Sequence, residues 1–167
     1  MRIFSSRAFL VGVLSLFVAL AVAGLVVGSA EADPGQDRIS GGFKDHFGEN
    51  VGLQANSGPS GEDPSGHESA TTPNDQQFRL RVICLAVEGN RAAYGTVIVK
   101  TTSPDYQEGD HFVEFARDGG EPNGGGDGWD LVDVPPGDPN NCAEFLDEAA
   151  TAPPIEGGNI TIHDAQP

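Results

Sequence analysis

The sequence predicts an all-β domain, either an antiparallel β-sandwich or an open barrel, built from six to seven short strands. Three observations predict this class. Apolar and polar residues alternate in several short segments, turn-forming residues separate those segments, and no long segment has the apolar spacing of an amphipathic helix. With 23 glycines and 12 prolines in 167 residues, the chain is also rich in the residues that form turns.

The clearest strand pair is a β-hairpin in the middle of the chain. Residues 77–87 alternate over their whole length, residues 88–90 (Glu-Gly-Asn) are a turn signal, and residues 91–102 continue as a second strand. One face of the first strand is predicted to carry Phe78, Leu80, Val82, Cys84 and Ala86.

Shorter alternating segments predict the other strands. The first opens at Gly41, and the others occupy residues 51–55, 111–117, 129–134 and 159–163.

Two segments lack a strand pattern. Residues 56–75 have no periodicity and are rich in Ser, Gly, Pro and acidic residues, so they are predicted to form a long loop or the tip of a hairpin. Residues 141–150 are predicted to form one short helix or a loop held by Cys142.

The N-terminus has the pattern of a secretory signal peptide. Arg2 and Arg7 precede an apolar run at residues 8–27, and residues 30–32 (Ala-Glu-Ala) form an A-x-A cleavage site. The run is also long enough to cross a bilayer, so an uncleaved membrane anchor is the alternative.

The predicted signal peptide divides the chain into three parts. Residues 1–32 are the signal peptide, residues 33–40 a flexible N-terminus, and residues 41–167 a single β-domain that is secreted or associated with the cell envelope. Cys84 and Cys142 are the only cysteines, and in an exported chain they are expected to form one structural disulfide.

The net charge of the chain limits the kinds of partner that it is expected to bind. A net charge of −16 repels phosphate backbones and anionic membranes, so we expect no nucleic acid partner, and membrane contact only if the leader is uncleaved. The acidic residues either keep an exported protein soluble or form a surface for cations and cationic partners.

A glycine-rich loop at residues 118–130 is the candidate metal site. Calcium takes six to eight oxygen ligands, and flexible glycines allow main-chain carbonyls to supply some of them. The spacing is not that of an EF-hand, and a solvated hairpin loop is the alternative. The acidic residues of the candidate calcium site are Asp118, Glu121, Asp127 and Asp130.

Other chemistry has weaker signals. Trp129 and Tyr106 either form a platform for a carbohydrate or peptide, or Trp129 belongs to the core. The sequence has no nucleophile elbow, and its four histidines have no metal-ligand spacing. Its many carboxylates leave open a glycosidase-like acid pair.

Several motifs resemble a family of small exported bacterial proteins, some of which are labelled post-COAP domain proteins. These motifs are the hairpin at residues 84–95 (CLAVEGNRAAYG), the loop at residues 118–122, Cys142 and the ending at residues 157–165. The resemblance extends from about Gly41 onward. It implies a secreted β-domain and no particular chemistry.

Together these observations favour a non-catalytic extracellular module that binds an extracellular ligand or a component of the cell envelope, or has a structural role. The competing interpretation is a secreted hydrolase that uses carboxylates. We expect no cofactor other than calcium. Acids that converge in a concave pocket with Trp129 would favour the hydrolase, and dispersed acids would oppose it.

Overall fold

A single antiparallel sheet of eight strands, curled into a half-barrel, forms the domain. The computed structural model describes residues 35–120, 126–134 and 141–165. Successive strands are neighbours in the sheet, and β8 returns to lie beside β1. The strands are β1 (Asp37–Lys44), β2 (Asn50–Ser57), β3 (Ser65–Thr71), β4 (Gln77–Glu88), β5 (Arg91–Thr101), β6 (His111–Arg117), β7 (Gly128–Val134) and β8 (Gly157–His163).

The all-β class is confirmed, whereas the two-layered sandwich is wrong. One sheet buries its inner face by curling, so the barrel is the alternative that fits. The first strand begins at Asp37 rather than Gly41, because Ile39 is completely buried in the core and residues 37–40 pair with β2. The predicted signal peptide and residues 33 and 34 lie outside the described residues. No helix in the described part of the chain has the length and apolarity needed to cross a membrane.

The eighth strand is β3, which lies inside the segment that was predicted to be a loop. Its sequence is Ser-Gly-His-Glu-Ser-Ala-Thr, and only Glu68 and Ala70 are buried. An inward-facing glutamate removes the apolar alternation from which strands are predicted. The prediction of a loop over residues 56–75 is therefore wrong in its centre.

A β-bulge corrects the predicted face of β4. The register against β5 shifts between Val82 and Cys84, and an extra residue in one strand reverses the inward and outward phase beyond it. Phe78, Leu80 and Val82 share the inner core as predicted, whereas Cys84 packs in a separate outer cluster.

The outer cluster is a patch on the convex face of the sheet, covered by the chain after β7. A 3₁₀ turn (Cys142–Phe145) leads into the short helix α1 (Leu146–Ala149), which confirms the predicted helix. The predicted disulfide between Cys84 and Cys142 is present, with Cα atoms 6.0 Å apart. We call this set of buried residues the outer patch: Cys84, Ala93, Phe115, Cys142, Ala149 and Ala152.

The two edge strands of the sheet, β7 and β8, are joined by side chains. Asp127 Oδ2 accepts a hydrogen bond of 2.7 Å from the Ile160 N–H, and Asp118 Oδ2 accepts one of 3.0 Å from the Ile162 N–H. Exposed strand edges invite pairing with other chains, and these carboxylates occupy the free N–H groups of β8. The Trp129 N–H also donates to the Pro153 carbonyl at 3.0 Å.

Candidate functional site

The inner face of the half-barrel encloses a cavity of about 80 Å³, which we call the lumen cavity. Its lining combines acidic, aromatic and aliphatic side chains, and none of the lining residues is Lys, Arg or His. The lining residues are Glu49, Glu68 and Glu114, then Phe78, Tyr106, Phe112 and Trp129, and finally Ala70, Leu80 and Leu131.

Two fully buried glutamates from opposite walls meet in this cavity. Glu114 lies on β6 between the inward-facing Phe112 and Ala116, and it is 1% exposed. Glu68 lies on β3 and is 4% exposed. Strand periodicity places both side chains inward, although carboxylates are rarely buried without a cationic partner.

Hydrogen bonds from Tyr94 and Thr96 hold the two acids, and Trp129 in turn holds the Tyr94 hydroxyl. The indole Nε1–H of Trp129 donates to the Tyr94 hydroxyl at 2.8 Å, and that hydroxyl donates to Glu68 Oε2 at 3.1 Å. The Thr96 hydroxyl donates to Glu114 Oε1 at 2.7 Å. Tyr94 and Glu114 are direct cross-strand partners, so the β5–β6 register itself places the hydroxyl beside the acid.

Burial and mutual repulsion govern the ionisation of the pair. Burial, with the nearby Glu114 charge, raises the pKa of Glu68 well above its usual range. Burial also raises the pKa of Glu114, but hydrogen bonds from Glu68 and Thr96 oppose this. The pKa values of both carboxyls are raised, that of Glu68 further, so a proton held by the pair lies first on Glu68. Burial raises the pKa of Tyr94 as well, so its hydroxyl keeps its proton as a donor.

One oxygen of this pair lacks a donor. Glu114 Oε2 is buried, and if both carboxyls are ionised it has no hydrogen-bond donor among the described residues. The only neighbouring group that can serve it is the proton held by Glu68, which lies within hydrogen-bonding reach. Since an unsatisfied buried acceptor costs about 1–3 kcal/mol or more, this oxygen is a place where a ligand donor would stabilise the protein.

The cavity reaches the surface beside two partly exposed residues. Tyr106, in the loop between β5 and β6, is 37% exposed and packs edge-on against Phe78 and Phe112, with ring centroids 5.8 and 5.4 Å away. Glu49, just before β2, is half-buried, and burial raises its pKa. These residues form the mouth of the lumen cavity.

The predicted calcium ligands that the structure describes make hydrogen bonds and an ion pair with other parts of the protein. Asp118 and Asp127 each accept one main-chain hydrogen bond from β8. Each also accepts one from the loop: the Gly119 N–H donates to Asp127 Oδ1 at 2.8 Å, and the Gly120 N–H donates to Asp118 Oδ1 at 2.7 Å. Asp130 Oδ1 lies 3.8 Å from His46 Nε2, and Glu121 lies outside the described residues. In the described part of the chain, no three His, Cys, Asp or Glu side chains are grouped as metal ligands. Calcium binding by this loop stays a prediction.

The predicted aromatic residues also separate. Trp129 is 1% exposed and belongs to the core, the alternative that the sequence left open, while its indole lines the lumen cavity. Tyr106 lies at the mouth of the same cavity.

Sequence reasoning missed both buried acids. Glu114 had a usable signal, because it occupies an inward position of a well-predicted strand, where apolar residues are expected. Glu68 had none, because the surrounding strand is polar throughout.

Comparisons with protein-family models, with curated proteins and with solved structures found no match. The resemblance to small exported β-domains therefore stays a prediction.

Proposed function

We propose that this chain is an exported binding module that holds one small ligand in the lumen cavity. The observation that carries the proposal is the buried Glu114 Oε2, which has no fixed donor, in a concave cavity of acidic and aromatic side chains. Binding sites for small molecules are typically concave and mostly apolar, with a few convergent polar groups, and the lumen cavity has this composition.

The size of the cavity limits the ligand. An apolar cavity of about 150 Å³ accommodates benzene, so 80 Å³ accommodates a group of about three or four non-hydrogen atoms. Barrels of eight strands have interiors just wide enough for side chains or one small ligand. The ligand is accordingly a compact molecule, or the compact head group of a larger one that extends past Tyr106.

The test uses Trp129, the only tryptophan of the chain, as a reporter inside the cavity. We would titrate urea, guanidinium, acetate and isopropanol at millimolar concentrations and follow its fluorescence. Ala70→Leu fills the cavity from its wall, and Ser69→Leu, on the exposed face of the same strand, is the matched control. We expect a saturable change in the wild type and in Ser69→Leu and none in Ala70→Leu. No saturable change with any probe in the wild type, or an equal response in Ala70→Leu, would contradict the proposal.

The second candidate, a secreted carboxylate-dependent hydrolase, is favoured by the convergence of two acids with Trp129 in a concave cavity. Its geometry fits glycoside hydrolysis poorly. Acid pairs in glycosidases are about 5–9.5 Å apart to admit the sugar or water, whereas Glu68 and Glu114 lie within hydrogen-bonding reach. Hydrolysis of nitrophenyl glycosides by the wild type, abolished in both Glu68→Gln and Glu114→Gln, would establish the hydrolase over the binding module.

A further inference from the structure

We infer that the lumen cavity selects a compact organic cation that carries N–H groups, a guanidinium or primary ammonium head group. This inference rests on the proposed binding function and names the class of its ligand.

The charge of the cavity is the first argument. Glu68 and Glu114 are buried carboxyls, and Glu49 adds a third at the mouth, whereas no lining residue is basic. Burying an unpaired carboxylate costs several kcal/mol, and a cation in the cavity would offset that cost. The net charge of −16 also attracts cations to the protein from solution.

The need for a donor is the second argument. Among the described residues, only a proton on Glu68 can serve Glu114 Oε2, and that donor is lost when Glu68 ionises. A carboxylate binds best to groups that are both charged and N–H donors. A guanidinium or primary ammonium supplies both, whereas a quaternary ammonium supplies only the charge. The cavity therefore favours cations that carry N–H groups.

The aromatic lining is the third argument, and it separates an organic cation from a metal ion. Phe78, Phe112 and Trp129 present rings to the cavity, and ring faces attract organic cations. Calcium would need six to eight oxygen ligands converging on one point. Among the described residues, the three glutamates are not grouped as metal ligands.

Binding of the cation is coupled to a proton. The groups that face Glu68 are the Glu114 carboxylate on β6, the Tyr94 hydroxyl on β5 and Glu49 at the mouth. A positive charge beside Glu68 favours its ionised form, so its proton leaves for solvent as the cation enters. By linkage, the affinity for the cation rises with pH until Glu68 is ionised in the free protein.

The experiment compares three probes at constant ionic strength, with Trp129 fluorescence and calorimetry as readouts. Guanidinium is the cation with N–H groups, urea is its neutral counterpart of nearly the same shape, and tetramethylammonium is a cation without N–H groups. We expect guanidinium to bind at least about tenfold tighter than either, with proton release at the pH values where Glu68 of the free protein holds its proton. Calcium is the fourth probe, and we expect it to leave the Trp129 signal unchanged.

Two isosteric variants and one control locate the effect. Glu114→Gln should weaken guanidinium binding about tenfold to a hundredfold, the loss expected when a charge-assisted hydrogen bond is removed. Glu68→Gln should keep binding but abolish its pH dependence. Glu108→Gln, which removes a charge from the exposed loop between β5 and β6, should change neither.

The outcomes separate this inference from the proposed function. Saturable binding of urea, isopropanol or acetate with no preference for guanidinium would overturn the cation inference and leave the binding module standing. Guanidinium binding that survives Glu114→Gln unchanged, or a response to calcium alone, would also overturn it. If no probe binds in the cavity, both proposals fail.

Discussion

The outer patch and the lumen cavity are both buried, but the first is lined by apolar side chains and the second contains buried carboxyls. The outer patch joins apolar side chains under α1 and is closed by the disulfide between Cys84 and Cys142. The lumen cavity, on the other face of the same sheet, holds two carboxyls and empty volume. The outer patch buries no carboxyl, whereas the lumen cavity buries two and leaves one of their oxygens without a fixed donor. Buried polar groups of this kind are expected at a functional site rather than in a structural core.

The largest expected effect is the loss of the disulfide. The double variant Cys84→Ala, Cys142→Ala opens a loop with a sequence separation of 58 and should lower the free energy of unfolding by about 4 kcal/mol. Denaturant titration of the two proteins measures the difference. If the comparison holds, the probes of the lumen cavity bind the variant unchanged while it remains folded. A loss of binding at temperatures where the variant is folded would show that the two regions are not independent.

The next effect concerns the joint between β7 and β8. Asp127→Ala removes the acceptor for the N–H groups of Gly119 and Ile160 and should destabilise the protein by about 3 kcal/mol. Asp130→Ala is the control, because Asp130 belongs to the same predicted calcium set but accepts only from the N–H of the next residue, Leu131, and pairs with the partly exposed His46. We expect a loss below about 1 kcal/mol. Equal losses in chemical denaturation would refute the assigned role of Asp127.

The dependence of stability on pH is the third way to distinguish the two regions. Since the pKa of Glu68 is raised above its ordinary value of 4.5, the folded protein holds a proton that the unfolded chain releases. The stabilisation is full below pH 4.5 and is lost as the pH rises through the pKa of the folded state, at about 1.4 kcal/mol per pH unit for one proton.

The measurement for this prediction is denaturant unfolding between pH 4.5 and pH 8. Glu49, Glu114 and Asp37 act in the same direction, so the wild type should lose stability across the range. Glu68→Gln should have a flatter profile, whereas Glu108→Gln should follow the wild type. Stability that rises with pH would contradict the assigned ionisation of the pair.

The smallest expected effect is that of calcium on the glycine-rich loop. If Asp118, Glu121, Asp127 and Asp130 form a site, calcium at a few times its Kd should stabilise the protein by about 1 kcal/mol and raise its melting temperature relative to an EDTA control. No shift, or a shift that survives Asp130→Ala together with Glu121→Ala, would end the calcium hypothesis.

Much of the fold was predictable because most strands alternate apolar and polar residues. Local patterns predict the hairpin of β4 and β5 and the strand β6, and the cysteine count predicts the disulfide. For residues 141–150 they left open a short helix or a loop. The bulge at Val82 and Cys84 was not predictable, because it reverses a face without changing the composition of the strand. The choice between two layers and one curled sheet depends on whether every strand pairs with the next, and periodicity does not encode pairing. The position of β8 beside β1 is a long-range contact of the same kind.

The candidate site could not be predicted from the sequence because its acids are buried where apolar residues are expected, and the same burial makes it a candidate site. Glu68 and Glu114 occupy inward positions, where strand prediction expects apolar side chains. With a glutamate at an inward position, β3 lacks the apolar alternation that would have predicted it as a strand. The glycine-rich loop attracted the calcium hypothesis because its acids are close in sequence, but Asp118 and Asp127 accept the hydrogen bonds that join the sheet edges. Acids brought together by the curl of the sheet are distant in the chain, and only the fold places them side by side.

The most direct test of the account is a ¹³C NMR titration of the side-chain carboxyls, with and without guanidinium. We predict that Glu68 titrates well above the ordinary range of a glutamate, that its titration is coupled to that of Glu114, and that guanidinium moves the pKa of Glu68 downward. Two carboxyls that titrate independently in the ordinary range, unmoved by guanidinium, would contradict the buried acid pair and the ligand inferred for it.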